Sequence, residues 1–216
     1  MESREMKIRC SYNSAIALKV YYGHFATNHS HINYYIDMTT LKVRQKESYN
    51  IAKNMAREYV ASTIIDTIVC MDGTEIIGAY LAEELSAAGI ISMNAHKSIY
   101  IVTPEFNSNG QLIFRDNIKP MIKNKHILLL IASATTGKTI AKSVECIEYY
   151  SGRIEGVSSI FSAVNNIHGR DIHAIFTTED LPSYATYSPS DCPLCKAGKK
   201  LDAIVNSFGY LKLEQV

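Results

Sequence analysis

Apolar residues follow two rhythms along this chain, and their alternation lays out its elements. Six consecutive apolar positions, Ile127 to Ala132, form the continuous run of a strand buried on both faces. Small polar residues follow at once, so a loop is expected from Ser133 through Thr135, Thr136, Gly137, Lys138 and Thr139. Beyond it Ile140, Val144, Ile147 and Tyr150 share one helical face, and Gly152 is the expected stop. The stretch predicts strand, loop, helix.

The same pattern recurs upstream. Ile64 to Met71 reads as a strand, Asp72-Gly73-Thr74-Glu75 as a turn, and Ile76 to Ala88 as a helix ending at Gly89. Before it, Ile51, Met55 and Tyr59 recur at every fourth residue, which predicts an amphipathic helix from Ser48 to Val60. Ser98 to Thr103 reads as a strand followed by a polar, mobile stretch from Pro104 to Gly110. Val157–Val164 and Ile172–Phe176 supply two more strands. Strands alternating with helices imply an α/β fold, a mainly parallel sheet with helices on both faces. Ligands of such sheets gather at the carboxyl ends of the strands, where Asp72–Glu75 and Thr135–Thr139 are expected.

The first sixty residues break this pattern, being rich in Tyr, His and Asn. Within Ala15–Asp37 a helix-like start is expected to give way to two short strands around a polar turn. The expected organisation is one domain over residues 1–216, with an N-terminal lobe over 1–45 and a C-terminal tail over 181–216.

The loop carries the candidate chemistry. At a helix start, unpaired backbone N–H groups and the positive end of the helix dipole favour an anion, and hydroxyls and glycine let it approach. Two readings stand side by side, a capped turn without ligand and a phosphate cradle. Lys138 beside Gly137 favours the cradle.

Composition narrows the partners. With 47% hydrophobic residues in 216 the chain can build its own core. A net charge of +1 with scattered Lys and Arg gives no footprint for nucleic acid. No apolar run reaches the roughly 18 residues of a spanning helix, and Met1–Lys7 lacks a signal-peptide pattern, so a cytoplasmic protein without a membrane partner is expected. The five cysteines, Cys10, Cys70, Cys146, Cys192 and Cys195, are expected as reduced thiols. Cys192-Pro-Leu-Cys195 has the spacing of a metal knuckle, but no second pair exists and His168 or His173 would have to be supplied by the fold. A ligand-free turn is the expectation there, and His29 and His31 are expected as solvated side chains of a polar turn.

Two families use a loop of this kind. Ala132–Thr139 comes near the nucleotide-binding P-loop, with Ala132 in place of its first glycine. That reading lacks a second acidic strand end, because Ile172–Phe176 runs into Thr-Thr-Glu-Asp180. Thr135-Thr-Gly-Lys-Thr139 after Ile127–Leu130 also resembles the phosphoribosyl-diphosphate loop of type I phosphoribosyltransferases. With Gly23-His-Phe to Tyr34-Tyr-Ile-Asp37, Ile68–Glu75, Gly78-Ala-Tyr-Leu-Ala82 and Cys192–Gly198 in order, the chain is most similar to the orotate phosphoribosyltransferases. That resemblance implies a hooded α/β fold, a homodimer, and binding of 5-phosphoribosyl diphosphate or a nucleotide 5′-phosphate with Mg²⁺. It implies Thr135, Thr136, Gly137, Lys138 and Thr139 as phosphate ligands and Asp72, Gly73, Thr74 and Glu75 as the pyrophosphate and metal side, in a pyrimidine-synthesising transferase. The chain departs from the family where Ile131 and Ala132 replace the acidic pair and Ile77 replaces the pyrophosphate-loop lysine. Pro104–Gly110 carries neither the Lys nor the His of the family's mobile loop, for which His96, Lys97 and Arg115 stand nearby. A transferase with weak or lost transfer is therefore expected, with a non-catalytic regulatory or ligand-binding module of the same fold as the alternative.

Overall fold

A computed structural model of the protein describes residues 2–87, 89–95, 97–108 and 111–213. In chain order the elements are β1 (Glu5–Cys10), β2 (Asn13–Ala26), β3 (His31–Asp37), α1 (Thr39–Val43), α2 (Gln45–Ala56), β4 (Thr67–Cys70), α3 (Glu75–Ala87), β5 (Tyr100–Val102), β6 (Glu105–Phe106) and β7 (Leu112–Ile113). There follow β8 (His126–Ala134), α4 (Lys138–Tyr149), β9 (Arg153–Ser162), β10 (Asn166–Ile167), β11 (Arg170–Thr177), β12 (Thr186–Tyr187), α5 (Pro193–Lys196), β13 (Ala203–Asn206) and β14 (Gly209–Lys212). The chain divides into two compact units, residues 42–177 and the combination of 1–41 with 178–216.

Residues 42–177 form the α/β unit. Its sheet runs β10-β11-β9-β8-β4-β5, parallel throughout except for the short β10–β11 hairpin. β8 lies at its centre, and Ile127 to Ile131 are fully buried. Burying each such side chain stabilises by about 1.5–3 kcal/mol, so this strand anchors the unit. Successive residues point to opposite faces. Val69, Leu129 and Ile131 join Ile140, Val144 and Ile147 of α4 in one cluster. On the other face Ile68 and Cys70 meet α3, and Gly78 is required there because a Cβ would lie 2.5 Å from Cys70 Sγ. The mainly parallel sheet with helices on both faces is thus the observed fold.

Two local expectations change. The stretch after Pro104 is not simply a polar loop: β6 and β7 pair as a hairpin, closed by Asn107 N–H donating to Gln111 O at 2.9 Å. Asn109 and Gly110 of that stretch, like Ala88 and His96, lie outside the described residues. Arg115 donates to Glu105 Oε2 at 2.7 and 2.9 Å beside the hairpin, which accounts for it as an ion pair.

The second unit is a mostly antiparallel sheet, β12-β3-β2-β13-β14, with β1 also on β2 and β13 parallel to β2. Here the helix-like start expected at Ala15 is absent. Residues 13–26 are one long strand, in which Ile16, Leu18 and Val20 are buried while Ala15 is exposed. Period-2 burial outweighed the helix propensity of Ala, Leu and Lys. The C-terminal segment contributes β12, β13 and β14 to this sheet. Tyr21, Phe25, Ile32 and Tyr35 pack with Ala203 and Val205 in its core.

Candidate functional site

Parallel pairing of β4 with β8 brings their carboxyl ends to one edge. Cys70 lies opposite Leu130, and Met71 N–H donates to Leu130 O at 2.8 Å. The turn 72–75 and the loop 135–139 therefore leave neighbouring strands at the same edge.

The loop wraps a concavity of about 220 Å³, open to solvent and lined by Ile131 and Ser133–Ile140. Gly137 is the residue before α4, at φ 72° and ψ −2°, and no side chain caps the helix. Thr136, Lys138 and Thr139 are exposed. Among the described residues, no backbone carbonyl accepts from the N–H groups of Thr135 to Thr139, whereas Ala141 N–H already returns to Gly137 O at 2.9 Å. Free N–H groups, the positive helix end, three threonines and a lysine line one opening, which is the chemistry of an oxyanion cradle. Gly137 also has a packing reason for its identity. A Cβ there would overlap Ile167 Cδ1 of β10, a neighbour the sequence did not indicate.

The turn is built differently. Asp72 and Gly73 both take left-handed conformations, φ 59° and 77°. Buried Thr74 donates to Met71 O at 2.8 Å, close to Leu130 O as well, so its hydroxyl pins the turn to the sheet. Glu75 opens α3 and accepts from Thr103 Oγ1 at 2.9 Å. Sequence reasoning missed Lys42, whose ammonium donates to Asp72 O at 2.7 Å. An isolated lysine carries no pattern that would have pointed to it.

The positions where orotate phosphoribosyltransferases carry charge, by the resemblance, are apolar here in three dimensions too. Ile131 and Ala132 are buried within β8, and Ile77 is buried in α3. No residue lining the loop carries a carboxylate, so the donor set there does not fit Mg²⁺. Asp72 and Glu75, on the adjacent turn, are carboxylates at this edge. Lys97 is exposed after the helix, and Arg115 is held by Glu105.

The cysteine pair lies in the other unit, and the histidines near it are neither His168 nor His173. His168 and His173 belong to the α/β unit, where His168 sits in a turn at φ 51° and His173 Nδ1 lies 3.6 Å from Glu58. The thiols of Cys192 and Cys195 meet His24 and His31 instead, so His31 is not a merely solvated turn residue. No helix of the described residues is long and apolar enough to cross a membrane.

No protein-family model matches the sequence, and no curated protein matches it. Solved structures do. A phosphoribosyltransferase from Corynebacterium diphtheriae superposes with a TM-score of 0.53 at 14% identity over 76% of this chain and 90% of its own. Mycobacterium tuberculosis orotate phosphoribosyltransferase in complex with inorganic phosphate gives 0.50 at 14% identity over 69% and 81%. Leishmania donovani UMP synthase gives 0.53 at 16% identity over 76% of this chain and 34% of that longer one. At these identities the likeness is one of fold, and the fold is that of the type I phosphoribosyltransferases.

Proposed function

We propose that the chain binds a phosphoribosyl ligand, 5-phosphoribosyl diphosphate or a nucleotide 5′-phosphate, through Thr135–Thr139, with transfer to orotate weak or lost. The observation that carries this reading is the open cradle of unpaired N–H groups, hydroxyls and Lys138 at the carboxyl edge of a phosphoribosyltransferase-like sheet. The ligand's 5′-phosphate sits against the start of α4, where dipole and N–H groups complement its charge. The ribose diol and pyrophosphate find no acidic pair at Ile131 and Ala132 and no lysine at Ile77. Each missing electrostatic contact in such a site costs about 10²–10³ in rate, so their joint loss favours binding without efficient turnover.

The open edge of the sheet supports a homodimer in this reading. β5 is the terminal strand, and it leaves Tyr100 and Ile101 exposed, with Ile76 of α3 also exposed. An uncovered apolar edge of this kind favours pairing with a second copy.

Isothermal titration with 5-phosphoribosyl diphosphate, with and without Mg²⁺, tests the site. Binding with little magnesium dependence is expected. Lys138→Ala should weaken it by about tenfold, or about 1.4 kcal/mol. No binding under either condition would overturn the proposal, and orotidine 5′-phosphate formation at about 1 s⁻¹ or faster would overturn the loss of transfer.

A further inference from the structure

Four side chains with no part in the phosphate cradle converge in the antiparallel unit. His24 Nε2 lies 3.2 Å from His31 Nδ1 and 3.4 Å from Cys192 Sγ. Cys195 Sγ lies 3.6 Å from His24 Nε2 and 3.3 Å from His31 Nδ1. All four atoms fall within 4.8 Å of one another. We infer that His24, His31, Cys192 and Cys195 form a closed tetrahedral zinc site that clasps the C-terminal segment to strands β2 and β3.

The spacing fits the ion. With Zn–S about 2.3 Å and Zn–N about 2.0–2.1 Å, a tetrahedron separates its ligand atoms by about 3.3 Å between nitrogens and about 3.5 Å between nitrogen and sulfur. Four of the six edges, 3.2 Å for the nitrogen pair and 3.3, 3.4 and 3.6 Å for three mixed pairs, lie close to those values, while the Cys192–His31 and sulfur–sulfur edges fall within 4.8 Å.

The supporting groups set the ligands in the required state. His24 Nδ1 is 2.8 Å from Lys199 O, an oxygen that can only accept, so the proton sits on Nδ1 and the Nε2 lone pair faces the cluster. The backbone of His24 is fixed as well. Its N–H donates to Asp202 at 2.8 Å, and Asp202 is clamped by Arg4 at 2.7 and 3.1 Å. The β2–β3 register shifts between Tyr22 and Phe25, the kind of irregularity that re-aims a side chain, and His24 lies in that interval. Cys192 precedes the short α5 and Cys195 lies within it, so a single turn presents both sulfurs, and both thiols are free. Two thiolates cancel the 2+ charge of the ion and the two imidazoles are neutral. The centre therefore carries no net charge, which suits a site where His24 and Cys192 are fully buried. Soft S₂N₂ donors in this geometry select zinc over magnesium or calcium, and four protein ligands leave no open position for catalysis.

Elemental analysis of the full chain purified without chelator should find about one zinc per chain. Cys192→Ser/Cys195→Ser should reduce this to under about a tenth, whereas Cys146→Ala, outside the cluster, should retain it. Wild-type protein stripped with EDTA and titrated with Co²⁺ should develop thiolate-to-cobalt charge-transfer and tetrahedral d–d bands that Zn²⁺ abolishes, a readout that does not depend on any variant folding. Zinc should also raise the melting temperature of the stripped protein. Absence of zinc together with no cobalt bands would overturn the inference, as would zinc retained undiminished by the double variant. Because these readouts do not involve the cradle, they succeed or fail independently of phosphoribosyl-ligand binding.

Discussion

Replacing Gly137 by alanine tests whether backbone conformation and packing together dictate glycine at the loop. At φ 72° an L-residue costs about 1–2 kcal/mol. The added Cβ would overlap Ile167 Cδ1 and lie 2.9 Å from its Cγ1, so Ile167 must change rotamer or the β10–β11 hairpin must shift, for about 1–3 kcal/mol more. Gly137→Ala should therefore destabilise by about 2–5 kcal/mol. Ile167 is only half-buried, and Ile167→Ala alone should cost about 1–2 kcal/mol, below the range for a core position. In the double variant the collision disappears and the backbone strain stays, so the combined loss should fall short of the sum by about 1–3 kcal/mol. Urea unfolding followed by circular dichroism is the assay, since the chain has no tryptophan. Additivity within about 0.5 kcal/mol would refute the packing argument. A loss below about 1 kcal/mol for Gly137→Ala would refute the strain argument as well.

An acid introduced at Ile131 should not be tolerated: Ile131→Asp places a carboxyl where Ile131 is fully buried in the α4-facing core and should cost about 3 kcal/mol or more, read as a lower melting temperature with no gain in orotidine 5′-phosphate formation. A stable, active Ile131→Asp would show that this core tolerates the charge. Burial alone would raise the Asp66 carboxyl, but hydrogen bonds from the His126 backbone N–H at 2.9 Å and ring Nδ1 at 2.8 Å hold it below its ordinary value. A depressed carboxyl contributes stability that is complete above its unfolded-state pKa and lost as pH falls through the folded one. Stability should thus decline below about pH 4, and Asp66→Asn should flatten that decline in acid-unfolding curves; an unchanged acid limb would argue against the pair.

What the sequence determined by itself was local. The run Ile127–Ala132, the switch to Thr-Thr-Gly-Lys-Thr and the period of Ile140, Val144 and Ile147 report which faces are buried over a few residues, and that suffices for a strand, a loop and a helix. From repeated units of this kind the parallel sheet follows, and with it the edge that carries Asp72–Glu75 and Thr135–Thr139. The period-2 pattern of Ile16, Leu18 and Val20 was equally present, but Ala, Leu and Lys also suit a helix, and only pairing with β1 and β3 made it a strand. The tertiary structure alone decided the rest. Ile167 under Gly137, Lys42 at Asp72 and the meeting of His24 with Cys192, 168 positions away, join segments whose own patterns are satisfied without one another. Local periodicity specifies a buried face but not the partner that buries it, and His24 and His31 meet Cys192 and Cys195 in a fold where the C-terminal segment pairs with β2 and β3.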